Sequence, residues 1–207
     1  MPRILTSFGI VASFFLAPLA LCFRLGQMSV FQQHLKEVSM QEKDERIVIV
    51  DRDNNVIGTE YRSVMRKRGL LHRATYLLIF NSKGELFVQK RTITKDIYPG
   101  YYDVAVGGVV LAGESYKESA DREIEEELGI RDISLKYLFD FYCADAGNQV
   151  WGRAYAGVHD GAIVLQEEEI ESGEFRRVDE ILTSADHERY TPDGIYVLKR
   201  YLSEHRR

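Results

Sequence analysis

Glu114, Arg122, Glu123, Glu126 and Glu127 are the side chains of this sequence best placed for chemistry, and a helix must hold most of them. Ser115 to Leu128 contains neither Gly nor Pro, is rich in Ala, Glu, Leu, Lys and Arg, and is followed by Gly129, which suits the position just past a helix end. At about 100° per residue, Ala120, Ile124 and Leu128 fall on one apolar stripe, Glu123, Glu126 and Glu127 occupy a neighbouring arc, and Glu125 points elsewhere. Three carboxylates crowded on one face repel one another unless a cation sits among them. Ligation by oxygen alone suits a hard divalent ion, Mg2+ first and Mn2+ second. Arg122 has the planar fork to orient these carboxylates, with Glu114 in the preceding loop as its partner. Gly107 and Gly108 allow close backbone approach, so that a main-chain carbonyl joins the cation. A solvated acidic face is the commoner explanation of a Glu run, and a turn or bulge that of a Gly pair. The spacing of the whole stretch weighs against both.

That spacing runs from Gly108 over five residues to Glu114 and over seven more to Arg122 and Glu123. Ile124, Glu126, Glu127, Gly129 and Ile130 follow. Every fixed position of G-x5-E-x7-R-E-U-x-E-E-x-G-U is filled, U being a bulky apolar residue, and the chain therefore resembles the Nudix hydrolase family. The resemblance implies an α/β fold, an α/β/α sandwich with a mixed sheet, in which this stretch is a loop-helix-loop. It implies hydrolysis of a phosphoanhydride bond in a nucleoside diphosphate derivative or related organic diphosphate, with Mg2+ or Mn2+ held by Glu123, Glu126, Glu127 and Gly107. Glu114, Arg122, Glu126 and Glu127 are the expected catalytic set, with Glu126 as the water's base. Glu167, Glu168 and Glu169 are bases to consider outside the box, although LQEEEIESGEF reads more simply as a solvated loop.

The likeness extends upstream through LLHRATYLLIFNSKGELFVQKRT, Lys95 and Pro99-Gly100 to two related groups, isopentenyl-diphosphate isomerase and bacterial Nudix hydrolases of undefined substrate. Arg91 and Lys95 match positions with which the isomerase grips its diphosphate, so these two, with Gly108, are the expected substrate contacts. The isomerase also needs a cysteine and a histidine where this chain has Gly107 and Val109, two later carboxylates where Gly147 to Trp151 carries none, and an upstream histidine where Met65 stands. Hydrolysis is the expectation; isomerase-like chemistry and a non-catalytic nucleotide-binding module are the alternatives. His72, Trp151, Tyr101, Tyr102 and Cys143 read as packing residues.

The surrounding pattern supplies the scaffold. Strands are expected over Arg46–Asp51, Val56–Tyr61, His72–Phe80, Glu85–Arg91, Asp103–Val106, Ile133–Cys143, Gln149–Val158 and Gly173–Val178. A short basic helix, its charges read as a solvated face, is expected over Tyr61–Leu71. Another starts at Asp179, and an amphipathic one spans Pro192–His205. Among 207 residues, 45% hydrophobic and 29% charged, no basic block appears, and the formal charge of -5 argues against a nucleic-acid polymer as partner. Two cysteines, Cys22 and Cys143, make neither a disulfide framework nor a zinc site.

Ile4 to Phe23 is uncharged and apolar, long enough for a signal core or a membrane anchor. A start at Met28 or Met40 is the preferred reading, with a cytoplasmic location. Residues 1–27 are thus set aside, 28–44 read as a linker, and 45–207 as the hydrolase domain, its oligomeric state unread.

Overall fold

The computed structural model describes residues 45–144 and 148–205. The hydrophobic segment, Cys22, Met28, Met40, the expected linker and Gly147 lie outside them. Among the described residues eight strands and four helices follow in order: β1 (Arg46–Val50), β2 (Val56–Tyr61), α1 (Arg62–Arg68), β3 (His72–Phe80), β4 (Leu86–Arg91), β5 (Tyr102–Asp103), α2 (Tyr116–Leu128), β6 (Lys136–Ala144), β7 (Gln149–Val158), β8 (Ile170–Arg176), α3 (Val178–Ser184) and α4 (Pro192–His205). No helix among the described residues is long and apolar enough to cross a membrane.

The strand HRATYLLIF, β3, organises a mixed sheet. It pairs in parallel with β7 from His72 against Val150 to Phe80 against Val158. Its other edge is shared, by β1 at His72 and by β4 at Phe80. Between those points β3 and β4 diverge, and the chain after β5 fills the gap. It leaves β4 at Asp103, bridges Leu77 through Val106 and Ala74 through Val109, and reaches β1 where Leu111 meets Ile47. The strand expected over 103–106 is therefore a two-residue β5 and a series of single bridges, because this chain crosses between partners and follows none of them. The ladder against β4 also begins earlier than expected, at Ile170.

Period-two alternation sends successive residues of β3 to opposite faces. Leu77 and Ile79 pack with Ile124 and Leu128 of α2, whereas Leu78 packs with Ile181 of α3 and Val197 and Leu198 of α4. The result is the expected sandwich, one layer of helix on each face of the sheet. Burying Ile124 and Leu128 contributes roughly 2 kcal/mol each to holding α2 down.

Candidate active site

Helix α2 is fixed at both ends by its own residues. Ser115 Oγ accepts from the Glu118 amide at 3.2 Å, and the Glu118 carboxylate accepts from the Ser115 amide at 2.8 Å, a reciprocal cap. At the other end Gly129 adopts φ 65°, and the amides of Gly129 and Ile130 close on the carbonyls of Glu125 and Ile124. With the apolar stripe turned inward, the neighbouring carboxylates divide by depth. Glu123 is 9% exposed and Glu127 3%. Glu126 stands at the rim with its side chain 52% exposed, and Glu125 faces outward to Arg131.

Arg122 ties these acids together. Its Nε and Nη2 donate to the two oxygens of Glu114 at 2.8 and 3.1 Å, and Nη2 reaches the Val109 carbonyl at 3.3 Å. Its Nη1 donates to Glu123 at 2.8 Å and to Glu126 at 3.0 Å, so both carboxylates meet at one nitrogen. Glu114 is anchored in turn by the Leu111 amide.

The glycine pair is demanded by contact. A Cβ at Gly108 would stand 2.4 Å from Glu123 Oε1, and one at Gly107, whose φ is 137°, would stand 2.3 Å from the Thr75 carbonyl. The Gly108 carbonyl accepts from the Thr75 amide at 2.9 Å, and that of Val106 from Leu77. The Gly107 carbonyl between them is left out of the pairing with β3.

Glu123 and Glu127 face a cavity of about 110 Å3 whose walls also carry Arg62, Arg66, Arg91, Lys95, Asp103 and Glu169. Lys95 forms an ion pair with Glu169. Arg91 donates through Nε and Nη2 to the Ile97 carbonyl and lies 3.7 Å from Asp103. Burial pushes the carboxyl of Glu123 up against the opposing pull of Arg122. Glu127 is driven well above the carboxylate range by burial and then by Glu123 and Glu169. Burial acts most strongly on Glu169 too, but Lys95, Arg62 and a hydrogen bond with Glu127 together keep that carboxyl low. Beside Glu127, Gln89 gives Nε2 at 3.4 Å while its buried Oε1 has no partner among the described residues. No three His, Cys, Asp or Glu side chains of the described residues are drawn together as a finished metal cage. What the site does hold is a local surplus of buried acceptors, the electrostatic condition under which a cation fits.

The structure thus brings Glu114, Arg122, Glu123, Glu127, Gly107, Gly108, Arg91 and Lys95 to one place and sets Glu126 at its edge. Two readings of charge are corrected. Arg62 and Arg66 of α1 are not a solvated face; they line the cavity. Glu169 is not in a solvated loop; it is half-buried against Lys95, whereas Glu167 and Glu168 remain exposed. The i, i+4 spacing of Arg62 and Arg66 was a usable signal for a shared helical face. The Lys95–Glu169 contact, made across distant chain segments, left no local trace. Gln89 and Asp103 were also missed as site neighbours.

The residues read as packing make contacts within the fold, and His72 also borders the cavity. His72 is buried with Nδ1 2.9 Å from the Leu70 carbonyl. Trp151 donates to the Arg52 carbonyl and packs on Tyr142. Tyr101 lies against Tyr98 and Tyr102 against Tyr190. Cys143 packs, partly buried, at the edge of a core cluster.

Comparison with known proteins adds relatives to this geometry. The NUDIX domain family matches residues 70–198. An uncharacterized Nudix hydrolase of Pseudomonas aeruginosa is 45% identical over 158 residues, 76% of this chain and 94% of that one. The uncharacterized Nudix hydrolase YfcD of Escherichia coli K12 is 39% identical over 158 residues, 76% of this chain and 87% of that one. The crystal structure of DR0079 from Deinococcus radiodurans superposes with a TM-score of 0.67 at 27% identity, covering 75% and 98% of the two chains. The NUDIX domain of Shewanella oneidensis NrtR, solved with ADP ribose, shares the fold at a TM-score of 0.53 and 13% identity, covering 65% and 86%. A helix built to hold buried glutamates against a cavity, in a chain with these relatives, belongs to the Nudix family, and the protein is a hydrolase of pyrophosphate bonds.

Proposed function

We propose that the protein is a Mg2+-dependent hydrolase, with Mn2+ as a substitute, of a nucleoside diphosphate derivative or related organic diphosphate. The observation that carries this reading is the pair of buried carboxylates, Glu123 and Glu127, in the wall of a cavity, with the amide of Gln89 beside Glu127 and its oxygen without a partner among the described residues. Glu123, Glu127 and the Gly107 carbonyl would hold the ion, with Glu126 closing the set from the rim. When bound, such an ion neutralises diphosphate charge and lowers the pKa of an attacking water.

The other residues divide the remaining work. Arg122 keeps Glu123 and Glu126 oriented and is itself fixed by Glu114. Gly108 leaves room for the Glu123 carboxylate and for the substrate beside it. Arg91 and Lys95 supply donors for phosphate oxygens, and Lys95 must loosen its hold on Glu169 to do so. That exchange frees a carboxylate within the cavity wall. Glu169 is therefore our assignment for the group that takes the water's proton, ahead of Glu126, which stays at the rim with Arg122.

Isomerase chemistry finds no support in the geometry. The thiol it requires would have to grow from position 107, where even a Cβ meets the Thr75 carbonyl.

The test is release of phosphorylated products from a panel of organic diphosphates, ADP-ribose among them, in Mg2+ or Mn2+. Glu127→Gln should lower turnover by about a hundredfold or more while the protein stays folded. A well-folded wild type that turns over nothing in the panel, or a Glu127→Gln variant as active as wild type, would sink the proposal.

A further inference from the structure

Arg62 and Arg66 share one face of α1 and line the active-site cavity, and their electrostatic situations differ. Most cations of this cavity are matched by a carboxylate: Lys95 by Glu169, Arg91 by Asp103, and Arg62 by Glu45 at 2.8 Å. Arg66 is not, among the described residues. Its Nη1 donates to the neutral Oδ1 of Asn148 at 2.9 Å, and its buried Nε meets no acceptor. Asp96 attracts it from a distance without forming an ion pair. Burial first, and then the charge of Arg62, pull the guanidinium pKa below its usual value. Arginine nevertheless stays protonated in proteins, so the charge is kept at a cost. Nearby His72 adds no positive charge, since burial holds its imidazole neutral. Among the described carboxylates only Asp96 offsets it, from a distance, and a buried cation so weakly matched is destabilising until an anion joins it.

The chemistry of that anion follows from the fork. With Nη1 held by Asn148, Nε remains on the edge of the guanidinium that makes bidentate contact with phosphate. Arg91 and Lys95 already stand by for the diphosphate, and they come from a different part of the chain.

We propose that Arg66, flanked by Arg62, forms a second anion seat in the cavity, which takes a phosphomonoester carried by the organic part of the substrate, separate from the two phosphates of the scissile anhydride. The inference rests on the reading of the cavity as a diphosphate site, and its test does not depend on turnover.

Binding of inorganic phosphate is measured by titration calorimetry in EDTA, and binding of Mn2+ separately. In Arg66→Gln, phosphate should bind about tenfold or more weakly, as expected for loss of a charge-assisted contact, with Mn2+ affinity unchanged. In Glu127→Gln the pattern should reverse, with Mn2+ binding lost and phosphate binding kept. Among diphosphates that differ by one phosphomonoester, the wild type should show the lower KM for the phosphorylated compound, and Arg66→Gln should lose that preference. Arg66→Lys retains the charge without the fork and guards against misfolding; it should remain folded and still bind phosphate several-fold more weakly. Phosphate affinity equal to wild type in either folded Arg66 variant overturns the seat, as does loss of phosphate binding in Arg91→Gln alone. Neither result touches the Glu127→Gln activity test, so the hydrolase centre is judged separately.

Discussion

A single methyl group added at position 108 would meet Glu123 Oε1 at 2.4 Å, well inside van der Waals contact. Glu123 has little freedom to retreat, because Arg122 grips its carboxylate from the other side and that arginine is locked by Glu114. Gly108→Ala should therefore displace the carboxylate and leave the fold largely intact. We expect Mn2+ affinity to fall by about tenfold or more, with a loss of about 1 to 3 kcal/mol in stability from the overpacked contact. Mn2+ titration and denaturant unfolding of the same variant separate the two effects. Wild-type Mn2+ affinity in Gly108→Ala would show that the Glu123 carboxylate does not depend on the space which the glycine leaves.

At the scale of elements, α2 is held by two devices of unequal weight. Its apolar stripe lies in the core, and its first turn is closed by the Ser115–Glu118 exchange. Ser115→Ala removes the second device only, so stability should drop by about 1 kcal/mol and the melting temperature by roughly 2 to 4 °C. Turnover should stay near that of wild type, because Ile124 and Leu128 still seat the glutamates. A loss of metal binding in Ser115→Ala would mean that the cap, and not the core, sets their position. The same comparison explains what the sequence made legible. Helix α2 announced itself because its period, its cap and its terminal glycine are all local and agree. The sandwich was readable for a similar reason, since strands such as HRATYLLIF carry their own period. Contacts between remote segments were opaque. Nothing in LQEEEIESGEF says that Glu169 will meet Lys95, and nothing in RSVMRKR says which of its charges turn toward a cavity. The segment from Asp103 to Val106 looked like one strand because its apolar content was right, although its partners change along its length.

Across the whole molecule, His72 links the proton to global unfolding. It is 2% exposed and pairs with β1 through Ile49 on one side and with β7 through Val150 on the other. Its ring borders the active-site cavity and yet is kept out of water. Burial, reinforced by the charge of Arg66, lowers its pKa to about 4, from about 6.5 in the unfolded chain. Between those values the unfolded state takes up a proton that the folded state refuses, so stability falls as pH falls. The contribution is complete above about pH 6.5, erodes by at most about 1.4 kcal/mol per pH unit, and levels off below about pH 4. Its full size is on the order of 3 kcal/mol. Other groups titrate in the same range, so the informative quantity is the difference from a variant without the imidazole. His72→Asn retains a donor on the side that faces the Leu70 carbonyl and cannot ionise. From pH 7 to 4.5, denaturant unfolding should show the wild type losing about 2 kcal/mol more than His72→Asn, and parallel curves for the two proteins would remove His72 as the source of acid sensitivity.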